Sequence, residues 1–258
     1  ALARDNAWYV GVEGGAMIVE DITFDISGAG NRVGTGTVDH DYGWDVGGVI
    51  GYDLGGFRIE ADVSYRRASV DAYRSTLTTP AFNAAGALGS VAAGNYDYAG
   101  GSSSALSFMV NGLLDFGEDD GVQGFIGGGV GVSRVKADYG LNTNGSFLDD
   151  SDTVFAWQVV AGLRQPISDN VDITLKYRFF NADNVKLVAA NADTFEGRFR
   201  SHSILGGITF NFGEPPAPPP PPPVEVPPPP PAPTPPPPAP PGVCPPGAYI
   251  VFFEWGKA

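Results

Sequence analysis

The sequence predicts an all-β fold: an eight-stranded antiparallel up-and-down transmembrane β-barrel, followed by a polyproline II linker. Three observations carry this. Apolar and polar residues alternate strictly in segment after segment, and a helical period is hard to find. The connections between those segments alternate between short and long, the habit of an up-and-down barrel whose two rims differ. Finally, 22 of the 24 prolines fall between Pro215 and Pro246. A folded domain therefore ends near residue 213, where a stiff segment takes over.

Each element rests on its own alternation. A first strand is expected at about 7–17 and opens on Trp8. In "GWDVGGVIGYD", Trp44, Val46, Ile50 and Tyr52 fall on one face. "FRIEADVSYRR" is the clearest case, with Phe57, Ile59, Ala61, Val63 and Tyr65 on one face. Arg58, Glu60, Asp62, Ser64 and Arg66 occupy the other. "LSFMVNGLLDF" aligns Leu106, Phe108, Val110, Leu114 and Phe116, and a fifth strand is expected at about 122–136. "VFAWQVVAGLR" aligns Phe155, Trp157, Val159, Ala161 and Leu163. "VDITLKYRF" sets Val171, Ile173, Leu175, Tyr177 and Phe179 against Asp172, Thr174, Lys176 and Arg178. The last strand, about 202–212, closes on Ile208, Phe210 and Phe212. Short connections are expected at Leu54–Gly56, Gly117–Gly121 and Pro166–Asn170, long ones at about 18–42, 68–103, 137–152 and 182–200. An even strand count puts both termini on the short-turn rim.

Composition narrows the classes. Net charge is −14, with 26 acidic and 14 basic side chains before residue 214, which argues against a nucleic-acid partner. A single cysteine, Cys244, excludes an internal disulfide framework. No run of 18 apolar residues exists, so no transmembrane helix is expected. The opening "ALARDNAW" carries an A-x-A triplet of the kind found at signal-peptidase sites, which fits an exported chain. A chance Ala-Leu-Ala fits it as well.

A barrel of this pattern turns its apolar face either inward, around a ligand, or outward, to lipid. Charges of both signs mixed with glycine on the opposite faces suit a narrow polar lumen. The aromatics Trp8, Trp44, Tyr52, Phe57, Tyr65, Phe108, Phe116, Trp157, Phe179, Phe210 and Phe212 gather at the ends of the apolar faces. Pairs such as Trp44 and Tyr52 lie eight residues apart, roughly 20 Å on a tilted strand, close to the ~25 Å band between two aromatic girdles. Eight strands leave too little interior for so many rings. Lipid is the expected neighbour.

With the segments placed, the sequence resembles the OmpA family of outer-membrane proteins. The resemblance lies in "WYVGVEGG", "FIGGGVGVS", "FAWQVVAGLR" before a short turn, "GITFNFG", the proline run and "CPPGAYIVFFEWGKA". It implies a barrel over 1–213, a proline-rich linker over 214–243, and over 244–258 the opening of a periplasmic domain. That family's periplasmic domain binds peptidoglycan, but its ligand-binding acid and arginine have no matching positions here. The resemblance also implies an outer-membrane location with periplasmic termini, in contact with lipid and lipopolysaccharide.

Chemistry is sparse. His40 and His202 have no nucleophile or carboxylate at a catalytic spacing, so no enzyme, cofactor or catalytic residue is expected. Asp149, Asp150 and Asp152 of "LDDSD" have the donor type for calcium, but an acidic surface loop explains them as well, and no metal is expected. The glycines of "GFIGGGVG" lack the following helix of a phosphate cradle and are expected to make room for bulky neighbours in the lumen. Buried charge needs a partner. Glu13, Arg58, Glu60, Asp62, Asp115, Arg164, Asp172, Lys176 and Arg178 are therefore expected to form a charge network in the lumen, Lys176 and Arg178 facing the carboxylates.

Three functions fit this reading. The first is a structural anchor that tethers the envelope towards peptidoglycan. The second is a narrow, slow porin, and the third an adhesin or receptor surface built on the second long loop. A protein partner or further copy of the chain is expected to hold the proline-rich segment.

Overall fold

The computed structural model describes residues 6–117 and 121–213, together with Gly242 and Gly247. The linker and the 244–258 segment expected from the sequence lie outside the described residues. So do three residues of the second short turn. The strands are β1 (Ala7–Val19), β2 (Ile22–Gly28), β3 (Arg32–His40), β4 (Gly43–Asp53), β5 (Phe57–Ser75), β6 (Thr79–Phe82) and β7 (Leu88–Val91). They continue with β8 (Gly94–Tyr96), β9 (Gly100–Phe116), β10 (Gln123–Gly140), β11 (Leu148–Pro166), β12 (Val171–Val188) and β13 (Thr194–Asn211). Eight of them close an antiparallel ring in the order β1, β4, β5, β9, β10, β11, β12, β13 and back to β1. The fold is the all-β barrel the alternation predicts.

The strands run much further than the sequence reading allowed. A transmembrane β-strand needs about 9–11 residues, whereas β5 has 19, β10 has 18 and β13 has 18. Most of the expected loops at 18–42, 137–152 and 182–200 are ladder. Loop one is the plainest correction: Met17 pairs Gly43 and Ile22 pairs Val38 in the same register, so β2 and β3 carry the β1–β4 hairpin onward. It turns at Gly28–Arg32, with Gly30 and Asn31 at positive φ (72° and 61°) as a tight hairpin turn requires. His40, expected in a loop, belongs to β3.

The physical reason is a change of polarity, with the side-chain parity kept. In the lower part of β10 the inward positions are Gln123, Phe125 and glycines, and the outward ones Ile126, Val130 and Val132. Above Ser133 the inward side chains become Val135, Ala137 and Tyr139 and the outward ones Arg134, Lys136 and Asp138. Strand β5 changes one inward position further along the ladder, between Arg66 and Ala68. The barrel is thus built of two stories. The lower is polar inside and apolar outside. The upper is apolar inside, around Phe24, Tyr73, Tyr139, Phe147, Phe195 and Phe199, and charged outside. Its rings pack at 5.8 Å (Phe24–Phe195) and 5.1 Å (Tyr73–Phe147).

Inward glycines in the lower story leave space for large neighbours. A Cβ on Gly51 would lie 2.3 Å from the Tyr9 ring, and one on Gly162 would lie 2.5 Å from the Phe125 ring. The 76–99 connection also holds structure: β6 and β7 form a separate hairpin, and β8 adds to the end of β5.

Candidate functional site

The lower story's interior is an ion-pair network in two layers, because long strands from all sides place charged side chains at common depths. In the upper layer Arg178 of β12 reaches three strands. Its Nη1 donates to Asp45 Oδ2 at 3.1 Å and its Nη2 to Asp62 Oδ2 at 2.6 Å, and Nη2 also donates to Glu13. Lys176 Nζ lies 2.6 Å from Glu13 Oε2 and 3.7 Å from Glu60 Oε1. Glu60 also accepts from Tyr9 (3.2 Å) and Asn111 (3.1 Å), and Gln158 donates to Asn111 at 2.7 Å. Arg66 stacks its guanidinium 3.7 Å over the Phe180 ring and lies 3.7 Å from Asp45. It joins the polar network to the apolar core above.

In the lower layer Arg58 makes a two-pronged pair with Asp115 at 2.7 and 2.8 Å. Arg164 donates to Asp53 at 3.1 Å and to Gln123, and Asn211 donates to Asp172 at 2.9 Å. All these groups are buried, and the cavity between the layers measures about 10 Å³, roughly the space for one water.

Glu13, Glu60, Asp62, Lys176 and Arg178 thus meet in one layer, and Arg58, Asp115 and Arg164 in the other. Asp45, Asp53 and Arg66 were missed. Their signal was present, since Asp45 and Asp53 sit one position from the outward Trp44 and Tyr52. The aromatics singled out in the sequence all lie on the barrel's outer face, where Trp8 pairs with Tyr52 (5.3 Å), Trp44 with Tyr65 (5.5 Å) and Trp157 with Phe179 (5.4 Å).

Above the belt, the connections lock to one another. Arg32 Nη2 donates to Thr78 O at 2.7 Å and pairs with Asp193 at 3.4 Å. Asn142 Nδ2 donates to Phe82 O at 2.8 Å, and Ala190 N donates to Phe147 O at 2.9 Å. Asp150 and Asp152 accept from the backbone N–H of Val188 and Lys186, each at 2.9 Å, and so bridge β11 to β12 where their ladder has ended. Asp149 holds Lys136 at 3.0 Å. These carboxylates are engaged with the fold rather than gathered for calcium, and no metal-ligand cluster occurs among the described residues.

Within the apolar story His40 Nε2 meets Ser103 Oγ at 2.7 Å, and Ser103 Oγ meets the Tyr139 hydroxyl at 2.6 Å. Burial pushes His40 down to about 4 and Tyr139 well up, so both stay neutral near pH 7. His202 lies on the outer face, with Nδ1 2.8 Å from the Tyr177 hydroxyl and Nε2 3.0 Å from Glu20 Oε1. The one serine hydroxyl that His40 meets, Ser103, is buried in the packed core.

Residues 40–193 match the model of a family described as surface antigen. The outer membrane protein PagN of Salmonella typhimurium is 29% identical over 123 residues, 41% of this chain and 49% of that protein. A Rickettsia bellii protein named as a candidate adhesin is 26% identical over 116 residues, 40% of this chain and 51% of its own. The chain spans about half the length of the curated relatives it matches. Among solved structures, the outer membrane protein OprG from Pseudomonas aeruginosa superposes with a TM-score of 0.52 at 14% identity, over 83% of this chain and all of OprG. That likeness shows the fold, an outer-membrane-type barrel.

Proposed function

The chain belongs to the surface antigen family, and from that premise we propose that it is an outer-membrane adhesin, a closed barrel that carries a rigid binding platform above the membrane. One observation carries the reading: the ring continues past its apolar belt as an ordered second story whose loop tips are bonded to each other. A protein that needed only to anchor would gain nothing from that height. Side chains offered at this end include Val33, Leu88 and Tyr98, which are 76%, 44% and 70% exposed. Exposed apolar groups on a rigid frame are what recognition of another surface uses. The adhesin name of the Rickettsia relative supports the same reading. In this orientation the short turns and both barrel termini face the periplasm, and no catalytic role is assigned.

The test is attachment of cells that display the protein. Val33→Asp, Leu88→Asp and Tyr98→Asp together should cut attachment about tenfold or more while the barrel stays folded, since hot-spot residues each contribute ~2 kcal/mol or more. Unchanged attachment would remove the adhesin reading.

A second reading is favoured by the proline run over 215–241. There the chain is an OmpA-family tether, with the linker carrying a following domain towards peptidoglycan. A pull-down on purified peptidoglycan of the protein as cells produce it decides this; absence from the pellet would exclude it.

A further inference from the structure

The outer face of β13 changes character along its length. Above Phe210 and Ile208, its outward residues are Gly206, Ile204, His202, Arg200, Arg198 and Glu196. Gly206 pairs with Gly14 of β1, and one row higher Ile204 pairs with Ala16. The belt is therefore bare across two adjacent strands, and a Cβ built on Gly206 meets nothing within 4 Å. Leu175 and Tyr177 rise on one side of this furrow, Val46 and Trp44 on the other. The two walls stand three strand spacings of ~4.8 Å apart, ~14 Å between backbones, so the floor between their side chains takes one or two hydrocarbon chains. It opens upward into an apolar hollow of 420 Å³ between Ile18, Tyr42, Tyr177 and Ile204. At ~30 Å³ for a water-sized group, that holds on the order of a dozen such groups.

Directly above, the wall parts. The β1–β13 ladder ends at Val19 and Ser201, and β2 rejoins β13 only at Asp25 and Glu196, one residue out of register. Along this stretch lie two polar hollows of 140 and 260 Å³ that share Thr23 and Arg198. His202 and Arg200 mark the boundary between apolar and polar, and both hold Glu20 (3.0 and 3.7 Å). Arg198 is exposed and makes no ion pair among the described residues; of the carboxylates around the two hollows, Glu20 is held by Arg200 and Glu196 by Lys186, and Asp21, Asp25 and Asp183 are the acceptors left beside it.

We propose that this face binds one outer-leaflet phosphoglycolipid. An acyl chain lies in the Gly14–Gly206 furrow, a phosphate sits on Arg198, and sugar hydroxyls donate to Asp21 and Asp25. The furrow is continuous with the lipid-facing belt, and its protruding aromatic walls keep a second barrel from lying flat on its floor. The free guanidinium matches a phosphate in charge and geometry. The proposal rests on the membrane orientation given above, but its test does not depend on attachment or on the linker.

The experiment is native mass spectrometry of the purified, folded protein in mild detergent, with diphosphorylated lipid A or phosphatidylcholine as the added probe. One lipid A per chain should be retained, about tenfold more tightly than phosphatidylcholine, the worth of one charged hydrogen bond. Gly206→Trp should abolish retention, and Arg198→Ala should bring lipid A down to the level of phosphatidylcholine. Ala61→Trp, on the outer face of β5, should change nothing. Retention of neither lipid, equal retention of both, or full retention by folded Gly206→Trp would overturn the proposal. A dimer that Gly206→Trp dissolves would overturn it in favour of a second copy. Should Gly206→Trp not fold, the wild-type comparison and Ala16→Phe decide on their own.

Discussion

Arg178 stands against three carboxylates supplied by three different strands. Its removal strands Glu13, Asp45 and Asp62 in the buried interior, and the cost of breaking a buried pair is ~3–5 kcal/mol. We expect Arg178→Ala to lower the unfolding free energy, read from urea titration of the folded protein in micelles, by that amount. Arg178→Lys should recover only part, since an ammonium cannot fork between Asp45 and Asp62. A loss under about 1 kcal/mol would mean that solvent reaches the site. His40 gives a second test at the same scale. Its ring stays neutral in the fold down to about 4, against 6.5 when free, because burial outweighs the Asp39 charge beside it. Below pH 6.5 the unfolded form therefore binds a proton that the folded form refuses. Stability of the upper story should be complete above 6.5 and fall by up to about 3 kcal/mol as pH drops to 4. Hydrogen exchange of β3 amides, compared with His40→Gln, reads this directly; identical pH profiles would contradict it. Alternation alone tells which of these residues point inward. Which acid meets which base depends on strand stagger, which a sequence read strand by strand does not contain.

At the scale of elements, the eight strands and their short turns were legible because lipid and a polar lumen impose the same period on every strand. The second story was not. There the inward residues turn apolar and the outward ones turn charged, so a search for outward apolar faces stops at Tyr65 or Phe155, where the strand itself runs on. The β1–β2 and β3–β4 breaks at Glu20–Asp21 and Asp41–Tyr42 added to this by interrupting the pattern without ending the hairpin. The two stories differ in what holds them: salt bridges below, packed rings above. Phe147→Ala empties a fully buried site between Tyr73, Tyr139 and Phe195, and the expected cost is ~3–5 kcal/mol. The loss should be local. Limited proteolysis should cut within 76–99 and 141–147 while the belt strands stay protected. Simultaneous loss of protection in both stories would show that they unfold as one unit.

For the molecule as a whole, the question is whether a barrel of this bore passes anything. Three obstacles lie in series: the Arg58–Asp115 and Arg164–Asp53 layer, the Arg178–Lys176 layer, and the ring-packed core above. A solute small enough for the ion-pair layers still faces the aromatic core, where a few scattered groups such as the Ser103 and Tyr139 hydroxyls cannot replace the water shell of a dehydrating ion. We therefore expect the purified protein in planar bilayers to give no resolved conductance steps near neutral pH. Lys176→Ala alone should stay silent, because the upper story remains shut. Combining Arg178→Ala with Phe147→Ala removes one obstacle from each kind of layer and leaves Glu13, Asp45 and Asp62 lining the gap. Any current it carries should then be cation-selective, as rings of carboxylates make it. Steps from the unaltered protein, or anion selectivity in the double variant, would return the narrow-porin reading and place the path somewhere other than through these layers.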